Sequence, residues 1–562
     1  MNINFWKNRE ALTPEQKKIK NKERLLLVSS GILLGISFPP FPFPFQLFMF
    51  FGLIPYFYVI EKKASLIDIN RSSYLAFFVF GLITLYWVGS WQKNADPFLM
   101  ISGVLLLFVN PLFLLIPSTL YYFSRRIFPK EITLFLFPIF WVTYEYAYMI
   151  TDLSFPWLTL GSGLSHFTSF IQVADIIGTL GLSVVIVLIN VLLYKAFINF
   201  KRKRKSAYYN LAAAILIYSI ILLYGFIKLN NYKISERKIR VGLIQPNIDP
   251  WKKWDIGSLN DFTKLYLNFS RKAIDKGAKL IVWPETAIPV YLLNGGYDKT
   301  LDSIYNFVEI NNVYLLTGVP DIRYYNKFQK KPEDVKFNKN IGYYATYNAI
   351  YLFSPDTRRI QRYGKMKLVP FGERVPFVNQ LPFLGKIIKW GVGISGWNVG
   401  KDTILFKIKD EESDNSLTAN QKNDTIKING LVCYESIFPV FVSEFVRRGA
   451  QFITVVTNDS WYGNSSGPYQ HKEMAVLRAV ENRRSVIRAA NGGISCIIDP
   501  LGRTKIESKM FTKTFLVGDV AIQNDETFFT KHAYLVPILS SVFSVWVIGM
   551  FILFRLKKKF KL

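Results

Sequence analysis

Three residues with complementary chemistry lie in three separate segments of this chain. Cys433 ends the run Lys427-Ile-Asn-Gly-Leu-Val-Cys433, whose alternating and then apolar pattern predicts a strand with a thiol at its end. A thiol near its ordinary pKa of ~8.5 is mostly protonated at neutral pH, so it needs a base before it can act as a nucleophile. Glu285, after an apolar strand and Pro284, can be that base, since partial burial raises a carboxyl pKa. Lys365 adds a positive charge that can stabilise a thiolate and an oxyanion, so the set is sufficient for acyl transfer.

The other cysteine and the histidines argue against other kinds of site. Because Cys496 is the only further cysteine, a metal cage of thiolates and a disulfide framework are both excluded. The chain has 3 histidines: His166 falls in a predicted outer loop, His532 directly before the last apolar run, and His471 at a helix start, where capping or packing is expected. A papain-like cysteine–histidine pair is therefore disfavoured. Cys496 lies in a predicted strand, and we expect it to be buried, inert and dispensable.

The composition predicts a membrane protein with a soluble domain inserted into it. Of the 562 residues, 50% are hydrophobic and only 19% are charged. Long apolar runs fill residues 25–229, residues 230–530 have the pattern of an ordinary α/β domain, and residues 533–554 are apolar again. The expected fold is a multi-pass α-helical membrane domain with an α/β domain inserted before its last helix.

Eight apolar segments are candidate membrane spans. The first two are short against the ~20 residues needed to cross a bilayer, and a proline-rich run at 38–45 separates them, so a hairpin or partial entry is also compatible with them. The candidates are residues 25–38, 45–60, 72–91, 98–123, 132–150, 170–197, 207–227 and 533–554.

Lysine and arginine cluster at alternate connections between these segments, and basic loops stay in the cytoplasm. This pattern predicts four regions: a cytoplasmic basic N-terminus (1–24), a transmembrane domain of seven spans (25–229), an extracytoplasmic catalytic domain (230–530), and a final helix with a basic cytoplasmic tail (531–562). A sizeable share of the net charge of +29 lies in the basic clusters, of which Lys201-Arg-Lys-Arg-Lys205 is the longest unbroken run. Anionic lipid headgroups are a simpler partner for such clusters than nucleic acid, which we do not expect to bind.

The inserted domain alternates strand and helix patterns, which predicts a layered α/β fold. Two polar segments, 324–340 and 409–424, are expected to be surface loops without a chemical role. The predicted strands are 239–245, 280–283, 314–318, 348–353, 427–433, 452–457, 485–490, 494–498 and 515–520, and the predicted helices are 259–276, 299–311, 439–448 and 471–483.

Each candidate residue alone has an ordinary structural interpretation, but the three sequence motifs that contain them are informative when taken together. The motifs are Trp283-Pro-Glu285-Thr, Lys365 followed by Leu368-Val-Pro-Phe-Gly-Glu373, and Val432-Cys433-Tyr434-Glu435. In order and local context they resemble the glutamate, lysine and cysteine motifs of the carbon-nitrogen hydrolase (nitrilase) superfamily. That resemblance implies an α-β-β-α sandwich for residues 230–530. With its apolar segments, nearly the whole chain is similar to the membrane-embedded N-acyltransferases of that superfamily, which complete bacterial lipoprotein maturation.

The resemblance implies an acyl transfer in two half-reactions. Cys433 would take an acyl chain from a membrane phospholipid as a thioester, and the N-terminal amine of the diacylglyceryl-cysteine of an apolipoprotein would then receive it. Glu285 would move the protons and Lys365 would stabilise the oxyanion. Further positions that match the superfamily are Glu373, Tyr434 and Glu435, which would support the site, and Trp254, in a loop that would handle substrate.

The same resemblance implies no cofactor, no metal and no particular oligomeric state. It predicts a multi-pass protein of the inner membrane, with the catalytic domain on the periplasmic side and both termini in the cytoplasm. One alternative is a membrane-tethered amidase, because the three residues do not by themselves choose between water and an amine as acceptor. A noncatalytic lipid-binding or transport protein is a more distant alternative, since few ionisable residues lie within the spans besides Glu145 and Asp175, near predicted ends.

Overall fold

The structure is a computed structural model that describes residues 13–93, 95–251, 253, 259–378, 380, 396–409 and 425–560. A helical region comes first, an α/β domain with two main sheets follows, and a long helix ends the described chain. Trp254, residues 1–12 of the predicted basic N-terminus and residues 410–424 of the second polar segment lie outside the described residues.

The helical region begins its helices where the sequence supplies caps. Thr13 and Gln16 form a capping box at the first helix, and the side chains of Ser65 and Asp96 accept backbone N–H groups at two later helix starts. The helices described before the first strand are α1 Pro14–Gly35, α2 Ile54–Ile60, α3 Leu66–Leu85, α4 Pro97–Phe113, α5 Leu115–Ser124, α6 Lys130–Thr133, α7 Phe137–Ile150, α8 Thr168–Ile171, α9 Ala174–Asn199 and α10 Arg204–Asn231.

In the described chain, 6 helical segments are long and apolar enough to cross a membrane. They overlap the last six predicted spans. The other two predicted spans fall on the second half of α1, whose first half is polar and basic, and on the shorter apolar segment Phe45–Ile60. The six segments are Leu66–Gly89, Pro97–Ser124, Lys130–Ile150, Ala174–Asn199, Arg204–Asn231 and Phe528–Lys559.

The α/β domain contains most of the predicted strands and all four predicted helices. Its described strands are β1 Lys238–Gln245, β2 Leu280–Val282, β3 Tyr314–Tyr325, β4 Lys336–Asn338, β5 Gly342–Ser354, β6 Thr357–Gly364, β7 Phe406–Lys409, β8 Thr425–Ile428, β9 Leu431–Val432, β10 Ile453–Thr457, β11 Val486–Ala490, β12 Cys496–Ile498, β13 Thr504–Glu507 and β14 Thr514–Ala521. Its described helices are α11 Leu259–Ile274, α12 Asp298–Asn311, α13 Pro439–Arg447 and α14 Ser466–Asn482, and the chain continues with α15 Phe528–His532 and α16 Leu535–Phe560.

Two sheets form the centre of this domain. The first has the strand order β14-β1-β2-β3-β5-β4, with β6 paired to β5, and the second has the order β13-β12-β11-β10-β9. Alternate residues of the first sheet enter two cores: Ile281 packs with α11 and α12, while Val282 belongs to the core that contains Val455 of the second sheet and helices α13 and α14. The layers are therefore helix, sheet, sheet, helix, as the α-β-β-α sandwich requires.

Strands β6, β7 and β13 fall outside every predicted strand, and three further differences have an identifiable local contact or cause. The predicted strand 427–433 is two strands, because Asn429 and Gly430 interrupt it and Asn429 Oδ1 accepts the Thr454 N–H at 3.0 Å. Residues 336–338 of the predicted loop 324–340 form β4 against β5. Helix α14 starts at Ser466 rather than 471, since Pro468 is tolerated in a first turn, where its missing N–H has no helical partner to lose.

Candidate active site

Cys433 lies at a sharp turn where β9 ends. The strand stops at Val432, and the short 3₁₀ helix Cys433–Ile437 begins at the cysteine itself. The φ angle of Cys433 is +51°, in the left-handed region that costs a non-glycine residue roughly 1–2 kcal/mol. Cys433 remains partly exposed, whereas Tyr434 and Glu435 beside it are buried. A thiol on this tight turn is therefore accessible while the backbone around it is fixed.

Glu285 and Lys365 also follow strands, but in the first sheet. Strand β2 ends at Val282 and leads through Trp283 and Pro284 to Glu285, and Lys365 comes directly after β6. Both side chains are buried: Glu285 is 8% exposed and Lys365 is 1% exposed. Since strands of both packed sheets end at this place, the structure brings the three predicted residues to one cavity, which all of them line.

Asn348 and Glu373 hold the two charged side chains together. The Lys365 Nζ lies 2.8 Å from Glu373 Oε1 and 3.7 Å from Glu285 Oε1. Asn348 Nδ2 donates hydrogen bonds to Glu285 Oε1 at 2.8 Å and to Glu373 Oε1 at 3.0 Å. The second oxygen of Glu373 accepts the Val369 N–H at 2.8 Å. Asn348 was not among the predicted site residues, although it lies in a strand whose position was predicted.

The electrostatics of the site favour the neutral thiol in the resting protein. Burial raises the pKa of Cys433 well above its ordinary value, the Glu285 carboxylate raises it further, and the Lys365 ammonium opposes both. Burial also raises the pKa of Glu285, against the lowering effect of Lys365. The Lys365 pKa is raised because the pull of Glu373 and Glu285 exceeds the effect of burial. A protonated thiol beside a carboxylate of raised pKa is a suitable pair for general base catalysis.

Glu435 connects the turn that carries Cys433 to the turn that carries Lys365. Its Oε2 accepts the Val432 N–H at 2.8 Å, directly before the cysteine. Its Oε1 accepts the Met366 N–H at 2.6 Å, directly after the lysine, and the Tyr363 hydroxyl at 2.7 Å. Glu435 is fully buried, so these backbone donors depend on it for their partners.

Tyr434 reaches in the other direction, toward the helical region. Its hydroxyl donates to the Ser154 carbonyl oxygen at 2.5 Å, in the connection between α7 and α8. The ring lies 6.4 Å from that of Phe155 and stacks on it. The residue after the cysteine therefore ties the α/β domain to a loop of the helical region.

The cavity has a mixed lining, polar at the three candidate residues and aromatic elsewhere. Leu99 of α4 contributes to it, so the helical region forms part of its wall. The other lining residues are Trp251, Glu285, Thr286, Asn348, Lys365, Val369, Gly372, Glu373, Trp397, Cys433, Asn458, Trp461 and Tyr462. Lys253, which precedes Trp254 in the sequence, donates to the Glu285 carbonyl oxygen at 3.2 Å and to Thr286 Oγ1 at 3.0 Å.

His471 lies beside Cys433, which the sequence did not predict. One atom from each of Cys433, Asp459 and His471 lies within 4.8 Å of the other two, a spacing that could accommodate a metal ion. Arg488 already occupies this neighbourhood: its Nη2 donates to Asp459 Oδ2 and lies 3.0 Å from His471 Nδ1. Because a guanidinium neutralises the carboxylate and contacts the imidazole, the cluster is best explained as a hydrogen-bonded support for the turn. The only signal in the sequence was the position of His471 near a helix start.

The remaining cysteine and histidines lie apart from the candidate residues. Cys496 is fully buried in β12 and does not line the cavity, so it is poorly placed to act as a nucleophile. His166 Nε2 lies 3.4 Å from Glu473, and the ring of His532 packs against Phe528. Neither histidine lines the cavity that contains Cys433.

Comparison with known proteins identifies the class of this fold and site. Residues 240–526 match the family model for carbon-nitrogen hydrolases, and the chain belongs to that family. Residues 30–192 match the model described as the apolipoprotein N-acyltransferase N-terminal domain. The whole chain belongs to the apolipoprotein N-acyltransferase family.

The similarity to members of that family extends over almost the full chain. The apolipoprotein N-acyltransferase of Chlorobaculum tepidum is 34% identical over 92% of this chain and 95% of its own length. That of Geobacter metallireducens is 32% identical over 92% of this chain and 93% of its own length. Among solved structures, an amidase from Nesterenkonia sp. is 17% identical, with a TM-score of 0.36 over 54% of this chain and 96% of the amidase.

Proposed function

We propose that this protein transfers an acyl chain from a membrane phospholipid to the N-terminal amine of the diacylglyceryl-cysteine of apolipoproteins, through a thioester on Cys433. The observation that carries the proposal is the cavity in which Glu285, Lys365 and Cys433 meet beside Leu99 of an apolar helix. A two-tailed lipid leaves a bilayer at a cost of ~0.8 kcal/mol per exposed CH₂, so its acyl ester must be cleaved next to the membrane. A site walled partly by a membrane helix meets that requirement.

In the first half-reaction, Glu285 accepts the thiol proton as Cys433 Sγ attacks the ester carbonyl carbon of the phospholipid. The Lys365 ammonium stabilises the oxyanion of the tetrahedral intermediate. When the intermediate collapses, the carbon–oxygen ester bond breaks and the departing alkoxide takes the proton from Glu285. The products are a lysophospholipid and an acyl thioester on Cys433.

In the second half-reaction, the apolipoprotein amine attacks the thioester carbonyl carbon. Glu285, again a carboxylate, accepts a proton from the attacking nitrogen, and Lys365 stabilises the second oxyanion. The carbon–sulfur bond then breaks, and the thiolate recovers its proton from Glu285. The amide product leaves, and the enzyme returns to its resting state, with no cofactor, metal or nucleic acid required by this chemistry.

The supporting roles follow from the contacts of each residue. Glu373 and Asn348 keep Lys365 and Glu285 at a fixed separation, Glu435 ties the lysine turn to the cysteine turn, and Tyr434 holds that turn against the helical region. Trp254, which lies outside the described residues, remains a proposed substrate-handling residue.

The proposed topology is that of a multi-pass inner membrane protein, and its membrane location is supported by the six apolar segments. We propose that residues 1–24 are cytoplasmic, that 25–229 form the transmembrane domain, that 230–530 form a periplasmic catalytic domain, and that 531–562 return the chain to the cytoplasm. The basic clusters at alternate connections support this orientation.

Acyl transfer from a labelled phospholipid to a diacylated lipopeptide tests the proposal. The unaltered protein should form the labelled N-acyl product, and mass spectrometry after the lipopeptide is omitted should detect a long acyl chain on the peptide that contains Cys433. Cys433→Ala should lose both signals, since it removes the sulfur that carries the proposed thioester.

Cys496→Ala is the matched control, because it removes the other thiol and should leave transfer within a few-fold of the unaltered rate. Retention of transfer by Cys433→Ala would contradict the proposal. Release of ammonia from a small amide, without an acyl chain on Cys433, would instead indicate the amidase alternative.

A further inference from the structure

His471 contacts the backbone of the cysteine turn rather than standing free in the cavity. Its Nε2 lies 3.1 Å from the Cys433 carbonyl oxygen and 3.0 Å from Ser436 Oγ. Its Nδ1 lies 2.9 Å from Asp459 Oδ1 and 3.0 Å from Arg488 Nη2. The imidazole is buried at 3% exposure, so these neighbours are its whole polar environment within the described chain.

The Cys433 carbonyl oxygen determines which ring nitrogen is the donor. A carbonyl oxygen only accepts, so the Nε2 that faces Cys433 carries a proton. Nδ1 lies between the Asp459 carboxylate, which only accepts, and the Arg488 guanidinium, which only donates. Burial and the Arg488 charge lower the pKa of His471, which favours the neutral ring with the proton on Nε2. With Nε2 protonated and Nδ1 enclosed by Asp459 and Arg488, the ring is not available as the base for Cys433.

The carbonyl that His471 contacts belongs to the residue with the strained backbone. Cys433 has a φ of +51°, and its carbonyl oxygen accepts from Ser436 Oγ at 2.8 Å as well as facing the His471 Nε2. A residue in a sparsely populated conformation persists only when its surroundings hold it there. Two donors on one carbonyl oxygen fix the orientation of the peptide plane after Cys433, and with it the direction of the thiol.

We propose that His471 is a positioning residue that donates from Nε2 to the Cys433 carbonyl oxygen and so holds the thiol toward Glu285 and Lys365. Asp459 and Arg488 hold the ring in place from the other side, at Nδ1. This inference rests on the proposed thioester chemistry, but it concerns how the nucleophile is presented rather than which substrate it meets.

Substitutions that keep or lose the Nε2 donor test the role. His471→Gln places an amide N–H near the Nε2 position, whereas His471→Asn has a donor only near Nδ1 and His471→Leu has none. We expect His471→Leu and His471→Asn to lower kcat and the rate of thioester formation by about 10- to 100-fold, with little change in KM for phospholipid, because a misplaced nucleophile slows chemistry more than binding. His471→Gln keeps a donor near the Nε2 position, so its rate of thioester formation should be within about 5-fold of the unaltered rate.

Alkylation by iodoacetamide gives a second measurement that needs no lipid substrate. In a Cys496→Ala background the Cys433 thiol is the only one left, and its alkylation rate should follow the same order, with His471→Gln above His471→Asn. Thermal unfolding identifies any variant that does not fold. If His471→Leu does not fold, the comparison of His471→Gln with His471→Asn still tests the role of the Nε2 donor. Equal rates for Gln and Asn, or a change confined to KM, would overturn the role of His471. If the unaltered protein formed no thioester although its Cys433 was alkylated at the expected rate, the proposed function would be contradicted and the positioning role of His471 would not.

Discussion

At the scale of single residues, the site combines a thiol of raised pKa with the carboxylate that we propose as its base. The raised pKa of Cys433 keeps the thiol from ionising unaided, and the raised pKa of Glu285 brings the carboxyl closer to the pH at which a base must both accept and release a proton. Lys365 limits both shifts by its charge. In the proposed mechanism, proton transfer is therefore coupled to attack on the substrate instead of preceding it.

The pH dependence of thioester formation tests the role of Glu285. Only the carboxylate can accept the thiol proton, so the rate should fall as pH decreases through the raised pKa of Glu285 and reach a plateau above it. Glu285→Gln should lower the rate by about 10²- to 10⁴-fold. What remains should increase with pH up to alkaline values, since it depends on unaided ionisation of Cys433. The measurement is the burst of acyl-enzyme under single-turnover conditions.

Glu444→Gln, a change of the same chemistry at the surface of α13, is the control and should keep the unaltered profile. An unchanged profile in Glu285→Gln would assign the base elsewhere.

The candidate residues could be predicted because each follows a recognisable strand, but their partners could not. Glu285, Lys365 and Cys433 lie in local motifs that a reader of the sequence can find. Asn348 contacts Glu285 from another strand of the first sheet, and His471 contacts Cys433 from α14, at sequence separations of 63 and 38 residues. Buried hydrogen bonds of this kind leave no periodic signal in the chain.

At the scale of elements, α14 is one of the parts of the α/β domain that contact the helical region. Its residue Gln470 uses all four of its hydrogen-bonding positions. The Oε1 accepts from Trp87 Nε1 at 3.1 Å and from Trp157 Nε1 at 2.7 Å. The Nε2 donates to the carbonyl oxygens of Pro39 at 3.0 Å and Thr84 at 3.1 Å. The next residue is His471, so one helical turn contacts both the helical region and the cysteine turn.

The same helix illustrates which part of the fold sequence patterns can predict. Periodicity predicted α14 and its neighbouring strands β10 and β11, because their apolar residues repeat locally. The sequence could not predict that nearly every residue of α14 is buried, polar ones included. The partners of Gln470 lie 313 to 431 residues away, so only the folded chain brings them together.

Gln470→Leu should destabilise the junction between the two parts of the protein. It removes the partners of two indole N–H groups and two carbonyl oxygens in a buried place, where each unsatisfied group costs about 1–3 kcal/mol. We expect a lower Tm in detergent and slower thioester formation, because the turn that carries His471 loses its support. Thermal unfolding followed by tryptophan fluorescence measures the change in Tm.

Tyr469→Phe changes an exposed neighbour on the same helix and should leave both measurements unchanged. If Gln470→Leu behaved like Tyr469→Phe, the junction would not depend on these hydrogen bonds.

At the scale of the whole molecule, buried charges connect the start of α9 to the end of α14. Arg483 donates to Asp175 Oδ2 from Nη2 at 2.8 Å and from Nε at 3.1 Å, and its Nη1 donates to Gln172 Oε1 at 2.6 Å. The side chains of Arg483 and Asp175 are 3% and 5% exposed. Asp175 also accepts from the Tyr224 hydroxyl at 2.7 Å, so α10 joins the same cluster. These contacts explain an ionisable residue at the end of a membrane segment without a transport role.

Breaking this pair should weaken the attachment of the α/β domain to the helices. Arg483→Gln removes one partner of a buried ion pair and leaves the charge of Asp175 uncompensated. Lys228 Nζ lies 3.5 Å from Asp175 and offsets part of this loss. We therefore expect the free energy of unfolding to decrease by ~2–4 kcal/mol. Arg447→Gln is the matched control, since its pair with Glu444 at 2.7 Å is exposed and such pairs contribute ~0–1 kcal/mol. Thermal unfolding in detergent compares the two.

The double variant Arg483→Gln/Asp175→Asn should regain part of the lost stability, because it leaves neither of the two charges buried. If Arg483→Gln were no less stable than Arg447→Gln, this cluster would not hold the α/β domain to the helices.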